Sequence, residues 1–135
     1  MLEDKNIQKT FQIGGDGEGI LYLEFLGIVN TVEDNIRQAD LIKNHITKIL
    51  QDNPERQFNC LVDLSPIKKT THFPSPRASD IYAQMIDNKQ FKKIAIVVPS
   101  SLSRAVINFI FQKVIKKTKA KFFKNRGEAV DWLNK

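Results

Sequence analysis

Thiols are nearly missing from this chain, whose 135 residues contain a single cysteine, Cys60. A disulfide framework is therefore excluded, and so is any paired-thiol metal or redox motif. Cys60 lies inside an apolar run, where a thiol packs as a small hydrophobe. Histidine is almost as scarce: there are only His45 and His72, and no second histidine or carboxylate stands at ligand spacing from His45. No G-x-S-x-G elbow, H-E-x-x-H helix or Walker loop occurs. Ser65, Asp63 and His72 do not make a triad, because all three come from one local segment, Ser65 precedes Pro66 and no oxyanion donors accompany them. The expectation is a protein that is not an enzyme and carries no cofactor or metal.

Long hydrophobic runs are lacking as well, and none approaches the roughly 18 apolar residues that span a bilayer. The charged start M-L-E-D-K-N has no apolar segment of the kind a secretory signal needs, so a cytoplasmic location is expected. Acidic residues are absent from 89 to 127, a stretch that holds eleven lysines and arginines, whereas residues 1–88 carry nine basic against thirteen acidic side chains. The overall charge of +6 thus belongs to one half of the chain. Such asymmetry suits an anionic partner or a solvated basic face. The length fits one domain, expected over residues 1–135.

What is present is organised around F-N-C-L-V-D-L, residues 58–64, too continuous for a half-wet strand and too short for a helix. It reads as a buried central strand with Asp63 near its carboxyl end, where open α/β sheets place ligands and partners. Before it, 7–13 and 20–25 read as two strands, and G-G-D-G-E-G between them, residues 14–19, as a hairpin turn. A phosphate-cradling loop would have to feed a helix, and here a strand follows.

Thr31 caps a predicted helix to about Gln51, with Val32, Ile36, Ala39, Ile42, Ile46, Ile49 and Leu50 as its apolar stripe and His45 beside it. Residues 65–76 hold three prolines and are expected to be irregular, until Ser75 and Pro76 open a helix to about Asp87. A buried strand at 93–98 follows. The helix expected at 101–117 has an apolar arc wider than one sheet face covers, through Phe109, Phe111, Val114 and Ile115, with Lys113, Lys116 and Lys117 alongside. Lysine-flanked 120–123 reads as an edge strand, and Asn125 with Glu128 opens a last helix docked by Ala129, Trp132 and Leu133. The order is β-β-α-β-α-β-α-β-α, a mostly parallel sheet with helical crossovers and an antiparallel N-terminal hairpin.

This order, with V-D-L-S closing the central strand and Glu128, Ala129, Trp132 and Leu133 in the last helix, resembles the STAS superfamily of anti-sigma-factor antagonists. It is most similar to the branch described together with the lipid-binding CRAL-TRIO lobe. Antagonists of this kind carry D-L-S-x-V-x-x-x-D-S-S-G, and Asp63, Leu64, Ser65 and Ile67 match its first part. Thr71, His72, Phe73 and Pro74 occupy the D-S-S-G positions, so the serine phosphoacceptor is missing, although Thr70, Thr71 and Ser75 lie close by.

The resemblance implies a non-catalytic regulatory or protein-interaction domain whose partner is another protein or a second copy. Its expected contacts are Asp63, Ser65, Thr70, Thr71, His72 and the face of Phe111 and Ile115. The alternative is an apolar ligand or anionic membrane surface, met by Phe111 and Ile115 with Lys113, Lys116 and Lys117. Nucleic acid is not expected, because lysine dominates over arginine and Phe122 and Phe123 suit a strand core better than a stacking platform.

Overall fold

The computed structural model describes residues 2–27, 29–66, 75–98 and 120–135. Its sheet has five strands in chain order: β1 (Phe11–Gly15), β2 (Ile20–Phe25), β3 (Phe58–Asp63), β4 (Phe91–Val97) and β5 (Ala120–Phe123). β1 and β2 are antiparallel and the other neighbours parallel, so the expected mixed α/β sheet with an N-terminal hairpin is found. F-N-C-L-V-D lies at its centre. The helix expected at 101–117, and with it Phe111, Ile115, Lys113, Lys116 and Lys117, falls outside the described residues, as do Thr70, Thr71 and His72.

The hairpin differs from the sequence expectation. Residues 7–10 are not strand: α1 (Asp4–Ile7) and a 3-10 turn (Gln8–Thr10) precede β1. The Glu3 carbonyl accepts from the N–H groups of Asn6 and Ile7, and the Thr10 hydroxyl donates to the Ile7 carbonyl, which curls the segment and drops Ile7 into the core. Gly14 and Gly15 belong to β1 rather than to the turn. The turn itself is built by Asp16, whose Oδ1 accepts from the N–H groups of Glu18 (2.8 Å) and Ile20 (3.0 Å). Gly17 and Gly19 supply the positive φ values, 77° and 108°, that this closure requires.

α2 (Val32–Asp52) links β2 to β3, and α3 (Pro76–Ile86) precedes β4. The caps are those expected: Thr31 accepts from Asp34 N–H and Ser75 from Ala78 N–H. Val32, expected on the apolar stripe, is instead 43 % exposed. It sits in the first turn, where the helix faces polar neighbours: Asp34 accepts from Leu2 N–H, Asn35 Oδ1 from Ser75 N–H (2.8 Å), and Gln38 donates to the Thr10 hydroxyl. Of the rest of the stripe, Ala39, Ile42, Ile46 and Leu50 are buried as their spacing requires, while Ile36 and Ile49 are half-buried.

Both helices lie on one face, as two crossovers stepping the same way demand. There Ile42, Ile46, Leu50, Met85 and Ile86 meet the alternate strand residues Leu21, Leu23, Phe25, Cys60, Val62, Ile94 and Ile96. Each such side chain contributes about 1.5–3 kcal/mol of burial. The opposite face is covered by α4 (Arg126–Leu133), through Ala129 and Leu133 against Leu61, Ala95 and Val97. Among the described residues no helix is long and apolar enough to cross a membrane.

Candidate functional site

Parallel register aligns the strands into rows, and one row crosses the α4 face at the carboxyl end of the sheet: Gln12, Glu24, Asp63, Val97, Phe123. Two carboxylates thus lie side by side on neighbouring strands. Side-chain alternation dictates this. In β2 the inner residues are Leu21, Leu23 and Phe25, leaving Tyr22 and Glu24 to the other side; in β3 they are Cys60 and Val62, leaving Leu61 and Asp63.

Like charges directly opposite destabilise a sheet unless a cation intervenes. Here it is Arg126, the first residue of α4. Its Nη1 lies 2.8 Å from Glu24 Oε1 and 3.4 Å from Asp63 Oδ2, and its guanidinium sits 5.0 Å above the Tyr22 ring. A cation in a first turn opposes the helix dipole, so the carboxylates and the ring are what hold it there. Hydrogen bonding to Glu24, with the charges of Glu24 and Asp63, raises the arginine pKa further above its ordinary value, against the effect of partial burial.

Asp63 is the more enclosed acid, its side chain 13 % exposed against 31 % for Glu24. Both of its oxygens are engaged. Oδ1 accepts from the Ser65 N–H at 2.9 Å and from the Ser65 hydroxyl, while Oδ2 faces Arg126. The carboxylate therefore fixes the direction in which the chain leaves β3, and Leu64 N–H, donating to Val97 O, keeps the exit aligned with β4.

α4 is fastened at both of its ends. Asn125 caps it by accepting from Glu128 N–H, Asn59 donates to Leu133 O, and Lys93 Nζ donates to the carbonyls of Trp132 and Lys135. Lys93 and Lys121 also lie over the Trp132 ring, which packs on Phe123 at 5.6 Å.

The arrangement offers charge and hydrogen bonding but no activated nucleophile. Burial pushes the Cys60 thiol up to about 12, and it points into the apolar core. The Ser65 hydroxyl donates a hydrogen bond to a carboxylate already held by an arginine. Among the described residues no group of three or more histidines, cysteines or acids could hold a metal ion. His45 lies on the exposed surface of α2.

Of the residues singled out from the sequence, Asp63 and Ser65 are brought together at the rim. Glu24, Tyr22 and Arg126 were missed. Their signals are faint: Glu24 is the lone acid in I-L-Y-L-E-F, and Arg126 follows a cap where an acid is the better neighbour of the helix terminus.

No curated protein and no solved structure matches the chain. A family model described as SpoIIAA-like matches residues 26–134, from the end of β2 to the end of α4, and so takes in Asp63, Ser65 and Arg126. This chain belongs to the SpoIIAA-like family.

Proposed function

We propose that the chain is a non-catalytic regulatory domain that recognises another protein through the rim at the carboxyl end of β3. Asp63, Ser65 and the adjoining Glu24 and Arg126 form the fixed part of the contact, and Thr70, Thr71 and His72 extend it along the following loop. Residues 1–135 act as one unit in this reading, and the face of Phe111 and Ile115 adds an apolar flank. The observation that supports it most is the engagement of both Asp63 oxygens: the carboxylate is occupied by an arginine and a serine. Such a group is held in the ionised form as a fixed acceptor, which suits orienting a surface better than cycling a proton.

The test is affinity capture with quantitative mass spectrometry, using the wild type and the variants Ser65→Glu and Asp63→Asn as baits. A partner held by the wild type is lost from both variants, while circular dichroism shows both still folded. An unchanged set of captured proteins contradicts the reading.

The second reading is an apolar ligand or anionic membrane surface, for which Lys113, Lys116 and Lys117 would meet head groups beside Phe111 and Ile115. It rests on that stretch of sequence, where each basic residue near such a surface contributes about 1 kcal/mol. Salt-sensitive sedimentation with phosphatidylserine vesicles supports it, and no pelleting at low salt removes it.

A further inference from the structure

The two margins of the sheet are unlike. β5 carries Lys121 and is followed by Lys124, the guard that discourages pairing with a stray strand. β1 reads F-Q-I-G-G and has no charge at all.

Its hydrogen-bonding parity follows from the hairpin. Leu26 N–H donates to Thr10 O at 2.7 Å and Asp16 N–H to Ile20 O at 3.1 Å, so residues 10, 12, 14 and 16 turn their backbone groups toward β2. Phe11, Ile13 and Gly15 turn theirs outward. Among the described residues nothing is hydrogen-bonded to that outer row.

We propose that this edge pairs, antiparallel and about a two-fold axis through Ile13, with β1 of a second copy of the chain. The strand is complementary to its own reverse. Phe11 of each copy falls opposite Gly15 of the other, Gln12 opposite Gly14, and Ile13 opposite Ile13, so each bulky ring faces a residue with no side chain. No Cβ crowds Gly14, and a Cβ at Gly15 would meet only the Ile20 carbonyl within its own chain, at 3.5 Å. The outward N–H and C=O groups of the three odd residues then all find partners.

The charges at the strand ends agree with this register. Lys9 precedes β1, while Asp16 and Glu18 follow it, and all three are exposed. Antiparallel apposition brings Lys9 of each copy beside the Asp16–Glu18 turn of the other, twice per dimer. A parallel pairing would instead set lysine beside lysine. The two sheets become one continuous sheet with both α2–α3 layers on the same side and the Asp63 rims at opposite ends. The inference stands apart from the rim reading, which needs no dimer. Because pairing of one short strand buries less than a standard interface, the dimer is reversible.

Sedimentation velocity of the full chain over a concentration series tests it, together with disulfide trapping. Paired residues facing each other across such a ladder have Cα atoms about 5.5 Å apart, within reach of a disulfide. Ile13→Cys therefore yields a covalent dimer under mild oxidation, whereas Gln84→Cys on the exposed side of α3 does not. Lys9→Glu weakens the dimer about tenfold, since two exposed ion pairs become repulsions, and adding Glu18→Lys restores it. A chain that stays monomeric at every concentration overturns the proposal. So does a dimer that Ile13→Cys fails to trap and Lys9→Glu leaves unchanged.

Discussion

The two faces of the sheet are made from the same strands yet do different work. Toward α2 and α3 the inward strand residues are apolar, and the buried polar groups Asp34, Asn35 and Gln38 come from the start of α2. Toward α4 the apolar contact of Leu61, Ala95 and Val97 gives way, at the carboxyl end, to Glu24, Asp63 and Arg126. Alternation along one strand separates the two roles: Val62 belongs to the core and Asp63, its neighbour, to the rim. Burial is concentrated on the first face, and the second carries the rim proposed to recognise a partner.

The strongest way to break this contrast is a large cavity on the α2–α3 face. Phe25 is 1 % exposed and packs edge-on to Tyr82 at 6.2 Å, so Phe25→Ala is expected to lower the unfolding free energy by about 3–5 kcal/mol. Urea unfolding followed by circular dichroism measures it. A loss under 1 kcal/mol would mean that this face is not the core.

Alkaline pH probes the same face through Cys60. The folded thiol is raised to about 12 from an ordinary value of 9.0, so the folded state favours the neutral form. The stability this contributes is complete below pH 9 and is lost as pH rises toward 12. At pH 10 the loss is about 1.4 kcal/mol relative to pH 8, and Cys60→Ala abolishes that component of the slope. Thiol labelling that proceeds as fast in the native protein as in urea contradicts the burial.

A substitution of opposite sign sharpens the comparison where α3 meets α2. Ser79 is buried, and its hydroxyl has no hydrogen-bond partner among the described residues. Ser79→Ala removes an unsatisfied group and adds a better helix former, so the protein is expected to gain about 1 kcal/mol. A destabilised variant would reveal a bond the hydroxyl makes.

On the α4 face the effects are smaller. Asn125→Ala removes the cap and costs about 1 kcal/mol, seen first in the fluorescence of Trp132, the single tryptophan. Arg126→Met costs less than about 1 kcal/mol, because the arginine side chain is 43 % exposed and its ion pairs are solvent-screened. Its consequence falls on partner capture. Equal losses of stability at Phe25 and Arg126 would erase the difference between the faces.

Much of this architecture was legible in the sequence. The central position of 58–63 follows from its unbroken apolar character, and the caps at Thr31, Ser75 and Asn125 mark three helices within a residue or two. Asp63 was found because a carboxylate ends an apolar strand. The start of the chain was misread because the spacing of Ile7, Phe11 and Ile13 also suits a strand, and only the Thr10 and Glu3 hydrogen bonds select the helical turn. Val32 is misplaced because periodicity does not reveal that the first turn of α2 turns Asp34 and Asn35, rather than Val32, inward onto polar partners. Glu24 and Arg126 lie 102 residues apart, and they meet only because β2 pairs with β3 and α4 docks on that face of the sheet.

The claim that recognition resides on the α4-face rim is tested most directly by nuclear magnetic resonance on the isotope-labelled full chain, titrated with the partner recovered by capture. Amide shifts concentrated at Glu24, Asp63, Ser65 and Arg126, with Ile42, Ile46 and Met85 unmoved, are the predicted result. Shifts confined to the outer surfaces of α2 and α3, with the rim silent, would contradict it.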